Sequence, residues 1–399
     1  MSWPPQPPAG PAGRSTWSGG PAPVPRPTHG ATDYGGWRSP RRHRRGAVVV
    51  EVLGVAIGAV GLLWVLGQVV LMGGPEVTAV AAALAVLPLV GVLATIAWVD
   101  RWEPEPRGLL LAALLWGAGV ATGVSIVLND TFSMVVYTAT GSTDAATFLS
   151  AVVSAPVVEE SAKGVGLLLI FLLRRRFFDG PVDGIVYAGT VAAGFAFVEN
   201  VLYFVQYSDT VLQTFVVRGV QSPFAHLLFT ACMGLALGVA ARSRNRGAWV
   251  GLLPLGWLAA VLLHALWNGS AAFGVHSVVY VVFQVPFFVG VVVLVVWLRS
   301  RERAVIARQL REYASAGWFV PHEVEMLTSL PARRAARSWA RDRGAGREMR
   351  DFQRAAVELA LYRERAVNGR AHLRGRADEQ RLLGVVTTAR AAFAGAGRG

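Results

Sequence analysis

Cysteine is all but missing from this chain: Cys232 is the single one in 399 residues. No intramolecular disulfide can form, a cysteine-rich metal site is excluded, and Cys232, inside an apolar run, reads as buried filler. The sequence also lacks a small-residue cleavage pattern after its first apolar segment, which is too long for a signal peptide. An HEXXH motif is absent, and no internal repeat relates one half of the apolar region to the other. Charge is scarce through the middle of the chain and collects between and after the apolar runs. With 53% hydrophobic residues and a net charge of +13, that segregation excludes an ordinary soluble domain and implies an integral membrane protein.

A helix needs about 20 apolar residues to cross a bilayer. Such runs fall at 47–73, 77–99, 107–128, 146–173, 182–206, 222–241, 248–273 and 277–298. The expected fold is therefore all-α: a polytopic transmembrane helix bundle of about eight spans over 46–299. Before it, residues 1–45 are rich in Pro, Gly and Ser and have no apolar core to bury, so they are expected to be a disordered tail. After it, 300–399 is basic and rich in Ala, Arg and Glu. Helical stretches are expected at 300–315, 322–340 and 346–368, broken by Gly317, Pro321 and the Gly344/Gly346 pair. This makes a small helical cytoplasmic region, either drawn to anionic lipid or a positively charged solvated tail that keeps the topology fixed.

Basic residues in short loops mark the cytoplasmic side. Arg41 to Arg45, Arg101 and Arg107, Arg174 to Arg176, Arg242 to Arg246 and Arg299 to Arg303 bound alternate loops, with Arg218 the one exception. Both termini are thus expected in the cytoplasm and the protein in the cell membrane.

Against this background, APVVEESAKG at 155–164 is anomalous. Glu159, Glu160 and Lys163 lie far from either end of their span, and i,i+4 and i,i+3 spacing lets the lysine reach either carboxylate. Ionisable groups at such depth face a bundle interior or a wet cavity and mark function. The alternative is an ion pair that only locks helices together. The next span carries Glu199 and Asn200 in GFAFVEN. The sixth carries His226, with Ser222 and Pro223 reading as helix cap and first helical residue. The seventh carries His264 and Asn268 on one face of HALWN, a pair that serves equally as interhelical glue. At 1.5 Å per residue, Glu199, His226 and His264 fall roughly 5 to 15 Å inside the outer helix ends, with Glu159 and Glu160 nearer the midplane.

Carboxylates, imidazoles and a carboxamide gathered in one shielded cavity suit amide hydrolysis. A carboxylate serves as general base on water and then as acid toward the leaving nitrogen, and Asn268 or a histidine donates to the oxyanion. Zinc held by His226, His264 and Glu199 is the alternative. Without HEXXH the metal-free glutamate mechanism is preferred, and no cofactor is assigned.

EESAK, FAFVEN, the isolated His226 and HALWN, in order on four consecutive spans, resemble the PrsW family of intramembrane proteases, itself distantly similar to the CAAX prenyl endopeptidases. DRWEPEP at 100–106 resembles the family too, and the likeness covers roughly 80–300. It implies an active site of Glu159, Glu160, Glu199, His226, His264 and Asn268. It also implies cleavage of a membrane-anchored protein near the extracytoplasmic face, often an anti-sigma factor in regulated proteolysis. The CAAX-type enzymes end FxxxH in histidine where this chain has Glu199, which leaves base and oxyanion roles open. The partners expected are that protein substrate and membrane lipid, not nucleic acid. The rival readings are a proton- or ion-coupled transporter and a non-catalytic scaffold.

Overall fold

The computed structural model describes residues 41–174, 178, 180–368 and 375–395. The tail expected over 1–45 lies outside them as far as residue 40, as do Arg175 and Arg176 of the charge pattern; from Arg41 the chain is helical. Every regular element among the described residues is a helix. They divide into two compact units, within Pro40–Leu298 and within Arg299–Gly399.

In the first unit, α1 (Arg41–Val99) is broken at Gly74, whose φ of 76° leaves the helical region. The Thr78 hydroxyl donates to Gly74 O at 2.7 Å and also approaches Val69 O at 3.5 Å. Nine residues of unbroken helix would hold that second pair about 13 Å apart. The chain therefore turns back, and Val65 and Val69 pack in one cluster with Ala81 and Ala85.

The next elements are α2 (Arg107–Leu115), a π-turn (Trp116–Ala121), α3 (Thr122–Thr140), α4 (Thr143–Leu149), a second π-turn (Ser150–Ser154) and α5 (Ala155–Leu173). They lead to α6 (Pro181–Gln206), whose residues are buried without a break from Pro181 to Phe195. Glycine permits that burial: a Cβ on Gly184 would collide with the Gly234 carbonyl, and one on Gly194 with the Leu114 carbonyl. Close backbone approach of this kind is how helices associate where lipid removes the hydrophobic drive. α6 thus forms the axis around which α1, α2 and α8 (Ala225–Arg242) pack.

Between α6 and α8 the chain is not the loop implied by the expected spans. A 3₁₀ turn (Ser208–Thr210), the short α7 (Val211–Phe215) and a π-turn (Val216–Gln221) make it a helical strap. Ser222 does not cap α8. Its hydroxyl donates to Val217 O at 2.7 Å, closing the π-turn, and α8 starts at Ala225. The unit continues with α9 (Trp249–Ala272) and α10 (His276–Val279) and enters α11 (Val285–Ser315).

Among the described residues, six helical stretches are long and apolar enough to cross a membrane: Val48–Val99, Arg107–Thr140, Pro181–Gln206, Ser208–Arg242, Trp249–Ala272 and His276–Ser315. Of the eight expected, the first two are the two arms of Val48–Val99 on either side of the reversal at Gly74. Residues 143–173 have the length but carry Glu159, Glu160 and Lys163.

The DRWEPEP segment closes on itself. Asp100 Oδ2 accepts the Glu105 N–H at 3.0 Å, and the Glu105 carboxylate accepts the Tyr187 hydroxyl of α6. Burial pushes the Asp100 carboxyl up to about 7.

The second unit adds α12 (Pro321–Leu327), α13 (Leu330–Arg341), α14 (Gly346–Val367) and α15 (Gly375–Gly395). The stretch expected over 322–340 is two helices, because Ser329 caps a new one by accepting the Ala332 N–H. α15 has no counterpart among the expected stretches. Its Arg390 grips Glu323 through two hydrogen bonds, 2.7 and 2.8 Å, and donates to Trp318 O.

Candidate active site

α5, α6, α8 and α9 bring five of the six expected side chains into one connected cluster. Glu160 is its anchor. Fully buried, it accepts Lys163 Nζ on Oε1 at 2.9 Å and the Thr230 hydroxyl on Oε2 at 2.9 Å; His264 Nδ1 lies 3.2 Å from Oε1. A carboxylate only accepts, so His264 carries its proton on Nδ1 and leaves the Nε2 lone pair open.

Lys163 is the chain's one lysine. Its ammonium donates to Glu160 and to His226 Nδ1 at 3.1 Å, lies 3.6 Å from Glu159 Oε2, and stands 3.7 Å above the Phe195 ring. Because Nδ1 of His226 accepts, its Nε2 bears the hydrogen and donates to Glu199 Oε2 at 2.7 Å. The two imidazoles stand edge to face with centroids 5.2 Å apart, and Phe229 stacks on His264 at 5.0 Å.

Glu159 differs from its neighbour. Its Oε2 is buried and makes no hydrogen bond; His264 Nε2 lies 3.9 Å away. Glu159, His226 and His264 offer ligand atoms all within 4.8 Å of one another. A carboxylate and two imidazoles form a donor set that zinc accepts, with room for a fourth ligand. Glu160 on Nδ1 of His264 is the outer partner such a histidine requires. Three carboxylates, Glu159, Glu160 and Glu199, face two cations, Lys163 and Arg218, so the cluster has a negative excess that a divalent ion would offset. Glu159 and His264 have open positions that fit a metal, whereas His226 would have to give up its bond to Lys163 or to Glu199 to join them; Glu159 belongs to that donor group, and Glu199, the carboxylate expected there, bonds His226 directly.

Asn268, the sixth expected residue, is engaged elsewhere. In the π-turn before α5 the Ala155 N–H reaches back five residues to Ser150 O. The next bond in that register would run from residue 156 to Ala151, but Pro156 has no N–H. Asn268 Nδ2 donates to Ala151 O at 2.8 Å instead. It repairs the helix that carries Glu159 and Glu160. Two indoles steady the same helix: Trp116 donates to Ala162 O and Trp257 to the Ser161 hydroxyl, each at 3.0 Å.

Two participants escaped the sequence reading. Thr230 stands one turn after His226, a spacing that could have flagged it. Arg218 donates to both Glu199 and Asn200; its violation of the charge rule was the signal.

The profile described as "PrsW family intramembrane metalloprotease" matches residues 105–291, which include every residue of the cluster. Protease PrsW of Geobacillus kaustophilus (strain HTA426) is 31% identical over 171 residues, 42% of this chain and 71% of the relative. Protease PrsW of Clostridioides difficile (strain 630) is 30% identical over 189 residues, 46% of this chain and 77% of the relative. That of Bacillus subtilis (strain 168) is 30% identical over 169 residues, 42% and 72%. No solved structure matches the chain.

Proposed function

This chain belongs to the PrsW family of intramembrane metalloproteases, and from that premise we propose that it hydrolyses a peptide bond of a membrane-anchored protein near the extracytoplasmic face. An anti-sigma factor with one membrane span is the substrate class we favour, with both termini of the protease in the cytoplasm. The observation that carries the reading is the pairing of an unbonded, buried Glu159 Oε2 with His264 Nε2, opened by Glu160, beside His226.

In this reading Glu159, His264 and, once Nε2 gives up its bond to Glu199, His226 would hold a divalent metal such as zinc, which would supply Lewis acidity to water and to the scissile carbonyl. Glu199 is the proton carrier: it takes the proton of the attacking water and returns it to the leaving nitrogen. Glu160 and Thr230 do not meet the substrate. They fix the His264 ring, while Lys163 compensates the paired carboxylates. Asn268 braces α5. Apolar helices around the cluster keep bulk water out, which strengthens each of these electrostatic contacts.

The test is metal analysis of purified protein alongside cleavage of a single-span reporter in proteoliposomes. Stoichiometric metal, lost in His264→Ala together with activity, is the expected result. A metal-free preparation that cleaves at full rate in the presence of chelator would sink the metal assignment. Proton or solute flux without any cleavage would sink the proteolytic reading.

A further inference from the structure

Glu199 and Asn200 are adjacent on α6, so their side chains point about 100° apart. Both nevertheless meet a single guanidinium. Arg218 Nε donates to Asn200 Oδ1 at 2.8 Å, Nη2 donates to Glu199 Oε2, and the guanidinium lies 4.0 Å from the Tyr203 ring centroid. Glu199 Oε2 also receives His226 Nε2. One carboxylate oxygen is thus held from two sides, by a group that the site uses and by one that it does not.

The second donor comes from the strap between α6 and α8. Leu212, Val216 and Val220 repeat at i, i+4 and i+8 on its exposed side. On the other side Phe215 packs on Phe204, and Val211 joins the cluster around Val201 and Val205. The strap therefore turns an apolar stripe outward and Phe215 and Arg218 inward. The π-turn at Val216–Gln221 sets that direction, since its extra residue shifts Arg218 around the axis. A guanidinium in such surroundings needs a reason and a partner. Its reach to both polar residues of FAFVEN supplies the partner.

We infer that Arg218 is a positioning residue: it keeps the Glu199 carboxylate beside His226 whether or not His226 Nε2 is donating to it, so that the proton carrier stays aligned when that nitrogen is otherwise engaged. The inference rests on the proteolytic reading and on Glu199 as proton carrier. A planar fork that binds two acceptors at once explains why arginine stands here and not a point charge. Arg218 does not touch the substrate, so its loss should appear in the chemical step and not in binding.

Full-length wild type, Arg218→Gln, Arg218→Lys, Glu199→Gln and the double variant are compared on one single-span reporter in proteoliposomes, with unfolding temperature and bound metal measured for each. Expected is a fall in kcat of about 100-fold for Arg218→Gln, with KM within about twofold and metal content unchanged. Arg218→Lys should recover about tenfold of that fall, since it keeps the charge and loses the fork. In the Glu199→Gln background the Arg218 change should add nothing further. A wild-type kcat in Arg218→Gln, a loss confined to KM, or an additive loss in the double variant would each overturn the assignment while leaving the protease intact. A wild type that cleaves nothing would overturn the proteolytic reading, and this inference with it.

Discussion

Nδ1 of His264 lies 3.2 Å from Oε1 of Glu160, and that contact decides which ring nitrogen is left open. Glu160 is saturated by His264, Lys163 and Thr230, whereas Glu159, one residue earlier, leaves an oxygen unbonded. Helical phase therefore gives two identical side chains different surroundings. Glu160 bonds Nδ1 of His264, and Glu159 Oε2 lies 3.9 Å from the open Nε2.

Glu160→Gln tests that division. The amide offers one acceptor oxygen in place of two and brings a donor that faces Thr230 or Lys163. His264 loses its fixed tautomer, and we expect metal affinity and cleavage to fall by about 10- to 100-fold. Metal content by mass spectrometry and reporter cleavage are the measurements. Equal metal content and equal rate would mean that Glu160 does not orient the ring.

Lys163 should be as essential to the fold as to the site. Replacing it with Met leaves two carboxylates in a dry interior with one cation fewer, and stripping one partner from a buried pair costs about 3–5 kcal/mol. A lowered unfolding temperature by tryptophan fluorescence is the expected outcome. Because no other lysine exists, an amine-directed reagent should label only the N-terminus of the folded protein and gain one further site on denaturation. Labelling of Lys163 at the rate of a free amine under native conditions would contradict its burial.

The helical fold could be read in advance because bilayer thickness leaves one solution to long apolar runs, and the intramembrane acids stood out against that background. The pairing of Glu160 with Lys163 followed from i,i+3 spacing. The gap expected between the first two spans is the reversal at Gly74. Other features depended on contacts that no local pattern reports. The strap at 208–221 was hidden by Ser208, Asp209 and Thr210, which look like loop. The role of Asn268 needed both the missing N–H of Pro156 and the π register of the turn before it, residues more than 100 positions away. That Glu199 is shared between His226 and Arg218 while Glu159 keeps an oxygen unbonded turned on Arg218, known from sequence only as a misplaced charge.

Asn268→Ala should separate bracing from chemistry. It leaves Ala151 O without a donor in an apolar setting, a loss of about 1–3 kcal/mol. The unfolding temperature should drop while kcat falls only as far as α5 shifts. A variant of unchanged stability with cleavage abolished would return Asn268 to the reacting groups.

Asp100 gives the fold a pH dependence of known sign. Its carboxyl titrates at about 7 in the folded chain against an ordinary value of 3.8, because burial disfavours the charged form more than the Glu105 N–H supports it. Between those two values the folded state binds more protons than the unfolded one. Stability from this group therefore falls as pH rises from about 4 to 7 and is level on either side. Asp100→Asn keeps an acceptor for the Glu105 N–H and cannot ionise. Thermal unfolding followed across pH 4 to 8 should show the wild type losing stability over that window relative to the variant. Parallel profiles would mean that Asp100 is solvated, and that the DRWEPEP segment is not packed as tightly as its bonds to Glu105 and, through Glu105, to Tyr187 require.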